Sequence, residues 1–179
     1  MIKIAIIAAL FSIIGCSGNE GDSDLTPSSS SVSSSSGYET LEIGIQTWML
    51  YDISGLYDWA TAMNLSSSCN STSCAGQVQA KHQGICPDGF HIPTRGQFNT
   101  LLSNSTRESL SNLFGVTSTS SIRWWSTTGY QNSANYTWMA YALSFYAYTN
   151  PNNVFDSYPV AELRGTGREY KMKVRCIKN

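Results

Sequence analysis

Residues 84–101 read GICPDGFHIPTRGQFNTL, and the fold class turns on them. Pro87-Asp88-Gly89 is a turn, because Pro presets φ and Gly accepts a positive one. Phe90 and Ile92 then alternate as a short strand, which Pro93 stops because it has no N–H to donate. Thr94 stands three residues before Gln97, the spacing of a capping box, and opens a helix over Arg95–Asn104. Phe98, Leu101 and Leu102 give that helix its buried stripe.

Downstream, Arg107–Phe114 reads as a second short helix presenting Leu110, Leu113 and Phe114. After it the pattern changes from helical to alternating. Ile122–Thr127, IRWWST, is a short aromatic strand, and Trp138–Tyr148 is the longest. The latter puts Met139, Tyr141, Leu143 and Phe145 on one face. Trp138, Ala140, Ala142, Ser144, Tyr146 and Tyr148 make the other, which is too apolar to be fully wet. Thr149–Tyr158 reads as a polar, Pro-broken loop and Gly165-Thr166-Gly167 as a hairpin turn. Glu169–Ile177 alternates throughout, with Tyr170, Met172, Val174 and Cys176 inward and Lys171, Lys173 and Arg175 on a solvated face. Upstream, Leu41–Met49 is a strand or edge ribbon. Leu56–Leu65 is a helix with Leu56, Trp59, Ala60 and Met63 on one side. With helices early, strands late and no strand–helix–strand rhythm, the class is α+β, early helices packed on a late antiparallel sheet.

The chain's first residues are of another kind. Lys3 precedes an apolar run, Ile4–Ile14, closed by Gly15 and Cys16. Such a run is too short for a hydrocarbon core about 30 Å thick, so residues 1–15 read as a signal peptide. The boundary Ile13-Ile14-Gly15-Cys16 resembles the bacterial lipobox, which implies lipidation of the Cys16 thiol and anchorage in a membrane of the bacterial envelope, the outer membrane being expected. The alternative is a plain signal with an incidental cysteine. Residues 16–37 are serine-rich, with serine tracts at 28–31 and 33–36, and cannot bury enough apolar surface to order themselves. They read as a flexible leash with an r.m.s. reach of roughly 25 Å. Glu20, Asp22 and Asp24 at its start resemble surface-export signals, or simply keep the linker soluble.

Residues 38–179 are left as one domain, large enough to bury a core without metal. Charged residues make up 13% of the chain and the net charge is −1, which argues against a nucleic-acid partner. Four cysteines follow Cys16, namely Cys69, Cys74, Cys86 and Cys176, and an even number in an exported domain implies disulfides. Cys69 and Cys74 flank a short polar loop and pair locally. That leaves Cys86 with Cys176. With no CxxC spacing and only His82 and His91 as histidines, a zinc site is not expected.

Several segments together resemble one family, the Fibrobacter succinogenes major paralogous domain. They are IGIQTWM, LYDWATAMN, the GICPDGFHIPTRGQFNTL block, Trp124-Trp125-Ser126-Thr127 and the closing Lys173-Val174-Arg175-Cys176, in that order along Leu41 to Lys178. Family members usually carry Trp where Phe90 stands, and an acidic residue plus Trp where Gln97-Phe98 stands. More distantly, the GFHIPT-helix block and terminal Arg-Cys strand resemble the C-type-lectin-like fold shared with formylglycine-generating enzymes. The resemblance implies an architecture, disulfide-stapled, but no activity. The triplets of calcium lectins are absent. Thr149-Asn150-Pro151-Asn152-Asn153 offers oxygen ligands with no carboxylate until Asp156, so neither metal nor cofactor is expected.

No catalytic residue is expected. His91, between Phe90 and Ile92, reads as a structural side chain rather than half of a Ser-His pair. The carboxylates are scattered, without a pair placed for glycoside hydrolysis. The aromatics Trp124, Trp125, Trp138, Tyr146 and Tyr148 are candidates for stacking on sugar rings, the alternative being that they pack a β-rich core. The expectation is a non-catalytic envelope lipoprotein. Its partners would be a membrane, through the lipid anchor, and polysaccharide or another envelope component. A structural envelope role without a small ligand is the alternative, followed by a cryptic enzyme.

Overall fold

The computed structural model describes residues 32–33, 37–116, 121–132, 138–150 and 153–179. The expected signal segment 1–15, Cys16 and most of the expected 16–37 linker lie outside them. In chain order the strands are β1 Val32–Ser33, β2 Thr40–Ile43, β3 Gln46–Met49 and β4 Ile53–Tyr57, then β5 Phe90–His91. They continue as β6 Ile122–Gln131, β7 Trp138–Asn150, β8 Asn153–Gly167, β9 Met172–Val174 and β10 Ile177–Lys178. The helices are α1 Trp59–Ala62, α2 Arg95–Ser103 and α3 Arg107–Phe114, with 3-10 turns at Ser67–Asn70 and Ala75–Gln77. The strands form two sheets, ordered β1-β2-β3-β10-β5 and β4-β9-β6-β7-β8. The chain is therefore α+β, with short helices and two disulfides.

The decisive block folds as its residues dictate. Gly89 takes φ +83° in the turn, β5 follows, and α2 opens on a complete capping box. Thr94 Oγ1 accepts from Gln97 N at 3.1 Å, and Gln97 Oε1 accepts from Thr94 N at 2.8 Å. Phe98 and Leu101 are buried as expected.

Elsewhere the continuous elements expected from periodicity are interrupted. Leu41–Met49 is a hairpin and not one strand, because Gly44 takes φ +60° and Ile45 stands out at its tip. The helix expected over Leu56–Leu65 shrinks to α1. Asp58 caps it through Thr61 N, while Leu56 and Tyr57 belong to β4, paired with β9. Of the expected loop Thr149–Tyr158, the described residues are strand: β7 and β8 stay paired through Tyr148↔Tyr158 and Thr149↔Ser157. Pro159 is tolerated because β8 is the edge of its sheet. Gly165-Thr166-Gly167 is the end of β8, and only its last residue enters a turn, which closes at Tyr170. Its first glycine makes room for a ring, since a Cβ there would sit 1.9 Å from Tyr130 Oη. The sheet is also not purely antiparallel, for β6 pairs with β9 in parallel at Trp124↔Lys173. Within the expected leash, Val32 and Ser33 pair with Leu41 and Thr40 of β2.

The final alternating run is divided between the sheets. β9 ends at Val174, and Arg175-Cys176 carries the chain across to β10 in the other sheet. Leu50–Asp52 makes the same passage from β3 to β4. The two crossovers run side by side, joined by Met49 N donating to Cys176 O at 3.0 Å. Both expected disulfides are present, Cys69–Cys74 and Cys86–Cys176, and the second fastens one crossover to the turn before β5.

Two buried clusters flank this junction. One gathers Trp59, Met63, Phe90, Ile92, Trp125 and Val174 around both disulfides. The other gathers Trp48, Phe98, Leu113, Phe114, Trp124 and Phe145 under α2 and α3. Because neighbours on a strand point to opposite faces, Trp124 and Trp125 enter different clusters.

Candidate binding surface

The aromatic candidates do not form one exposed platform. Trp124 and Trp125 are fully buried and cannot stack on a ligand, which corrects their assignment as sugar-facing rings. Their indole N–H groups are spent internally, Trp124 on Asp52 Oδ1 at 2.7 Å and Trp125 on Tyr57 O at 2.7 Å. Trp138 is half-buried beneath the Arg168 guanidinium, whose carbon is 5.4 Å from the indole centroid. Tyr146 is half-buried under Arg164, 4.9 Å from its ring, and donates to Glu162. The Tyr148 side chain and Cys16 fall outside the described residues.

Arg175 is likewise not on a solvated face. It is 3% exposed and held at the crossover by Asp52, Leu50 O and Leu113 O. Burial lowers its pKa, and the Asp52 charge opposes that shift. Asp52 accepts Arg175 Nε at 2.7 Å and Lys173 Nζ at 3.0 Å as well as the Trp124 indole. One carboxylate thus serves two cations.

His91 has no free nitrogen for chemistry. Nδ1 meets Asn179 Oδ1 at 2.7 Å, and Nε2 meets Gln97 Nε2 at 2.8 Å. Because Gln97 Oε1 is committed to Thr94 N, the Gln97 amide presents its donor, which makes His91 the neutral Nδ1–H tautomer. All four domain cysteines are in disulfides. Among the described residues, no group of three or more His, Cys, Asp or Glu side chains could hold a metal ion.

A surface with binding character lies elsewhere. Leu56 of β4, Ile122 and Arg123 of β6, and the Tyr170–Lys173 segment enclose a groove of about 290 Å³. Leu56 is 57% exposed and Tyr170 59% exposed, placing an aliphatic and an aromatic side chain on the same open groove. Arg123 and Lys171 are exposed there, and neither makes an ion pair among the described residues. Lys173 is partly neutralised by Asp52, but that carboxylate is shared with Arg175. The groove is therefore aromatic in part and positive at its rim.

Periodicity concealed this groove, since it put Leu56 on a helix face and Tyr170 inward. The available signal was Gly167-Arg168-Glu169, a turn closed by Tyr170 N donating to Gly167 O at 3.3 Å. It delays the strand to Met172 and leaves Tyr170 outside it. No protein-family model, no curated protein and no solved structure matches the chain.

Proposed function

We propose that this chain is a non-catalytic bacterial envelope lipoprotein that binds acidic polysaccharide through the Leu56–Tyr170 groove. The observation that carries the reading is the exposed Tyr170 ring beside Leu56, bordered by Arg123 and Lys171 with no neutralising carboxylate among the described residues. An aromatic face packs on a sugar ring, and guanidinium or ammonium groups select carboxylated or sulfated chains. The occupied nitrogens of His91 and the paired cysteines support binding over catalysis. The reading includes a C-type-lectin-like domain of the Fibrobacter succinogenes major paralogous type, supported by the CPDGFHIPT block and the closing Val-Arg-Cys. It also includes the anchor: lipidated Cys16, a serine-rich linker and an outer-membrane location.

The test is sedimentation of the full-length Cys16→Ser chain with insoluble alginate or pectate, with cellulose for comparison. Binding to the acidic polymers should weaken as salt rises, and Tyr170→Ala should weaken it about tenfold, as loss of an aromatic anchor does. Absence of binding to every acidic polymer, or binding indifferent to Tyr170→Ala, would refute the groove and favour a structural envelope role. Cys16→Ser should also release the chain from membranes and abolish palmitate labelling. Persistent membrane association without lipid overturns the anchor.

A further inference from the structure

We infer that Arg168 anchors a second pocket, distinct from the groove, that receives a small carboxylate. The side chain is 3% exposed and lies on the face of Trp59, its guanidinium carbon 3.9 Å from the ring centroid. A guanidinium has five N–H donors. Nε donates to Met139 O at 3.2 Å, and Nη1 donates to Cys69 O at 2.9 Å and Thr72 O at 3.3 Å. Those three bonds pin the Cys69–Cys74 loop to the sheet, and a purely structural role is satisfied by them. Both protons of Nη2 remain without an acceptor among the described residues. None of the described carboxylates pairs with this cation.

Nη2 borders Gly129, where a Cβ would lie 1.9 Å from it, so only glycine leaves the nitrogen its place. Arg168 and Gly129 line a cleft of about 220 Å³ together with Trp59, Val78, Thr127 and Thr128. Ala75 stands at this cleft too and is itself exposed.

The lining selects the ligand. One guanidinium and no other cation match a single negative charge, whereas a phosphate near two charges would be left half compensated. Two threonines line the same space and carry hydroxyls that can donate to a second oxygen. Ala75, Val78 and Trp59 supply an apolar side for the body of the acid. The volume is below that of drug-sized sites, which suits a short acid or the carboxylate end of a sugar acid.

The experiment is a titration of the isotope-labelled full-length chain, followed by NMR, with sodium propionate, sodium glucuronate and, as a neutral control, glucose. Either acid should shift the Gly129 amide and the Trp59 indole N–H with a dissociation constant on the order of 1–10 mM, and glucose should not. Shifts with both acids make the carboxylate the determinant; shifts with glucuronate alone add the sugar ring to it. Ala75→Glu, an exposed position that leaves Arg168 untouched, should place a tethered carboxylate at the cleft and weaken binding at least about tenfold. Tyr170→Ala should leave this titration unchanged, which keeps the pocket separable from the groove. No shift with either acid, equal shifts with glucose, or undiminished binding in Ala75→Glu overturns the inference.

Discussion

His91 is fixed between two amide side chains that cannot both welcome a second ring proton. Asn179 Oδ1 accepts from Nδ1, while Gln97 donates its amide N–H to Nε2 and has its oxygen tied to the helix cap. Burial foremost, and the charge of Lys81, hold the imidazole pKa below its ordinary 6.5. The unfolded chain takes up this proton as pH falls through about 6.5, and the native state resists it. Stability is therefore complete above that value and declines as pH falls toward the lower native one. Urea midpoints should drop between pH 7.5 and pH 5, and His91→Gln should remove most of that slope. Asp52 is the second residue with consequences beyond itself. Asp52→Asn leaves Arg175 buried without its counter-charge and should cost about 3–5 kcal/mol in denaturant unfolding. Lys173→Met, which removes the more exposed cation of the same cluster, should cost less than about 1 kcal/mol.

Among the elements, α2 depends most on chemistry within its own few residues. Thr94→Ala removes the acceptor for Gln97 N and frees the Gln97 side chain that also orients His91. It should cost about 1–2 kcal/mol, read as a shift in urea midpoint at pH 7.5, and leave the native near-ultraviolet dichroism intact. This locality is why the CPDGFHIPT segment and its helix were readable from sequence: turn, stop and cap are decided by adjacent residues. Legibility failed where an element is cut by its surroundings. The turn from Gly167 to Tyr170 and the crossover at Arg175-Cys176 break a run that alternation treats as continuous, which turns Tyr170 inward and Arg175 outward in that reading. Of the two readings of the candidate aromatics, core packing holds for Trp124 and Trp125. One core has no need of so many rings, but two clusters on opposite faces of β6 consume both Trp124 and Trp125. The Leu56–Tyr170 groove and the Arg168 cleft each join segments far apart in the chain, and no spacing rule brings such residues together.

At the scale of the whole molecule, the two disulfides differ in what they restrain. Cys86–Cys176 spans 90 residues and Cys69–Cys74 spans 5. Loop entropy predicts that removing the first with paired Ala substitutions costs about 4–5 kcal/mol and removing the second about 2 kcal/mol. Equilibrium unfolding of the two double variants should rank them in that order; the reverse ranking would mean that the short loop is stabilised by more than chain entropy, Arg168 being the candidate. The long link gains from its position beside the paired crossovers, where Asp52 grips Arg175 and Met49 grips Cys176. Two chain passages clasped in this way act like a door hung on two pins instead of one: neither sheet can swivel against the other without tearing an ion pair and loading a covalent bond. A pull on the chain ahead of β2 first meets the short β1–β2 pairing at the sheet edge, which can peel away and re-form. Beyond it the load passes through β3 to the clasp, so the domain should yield at its rim while its interior keeps its shape.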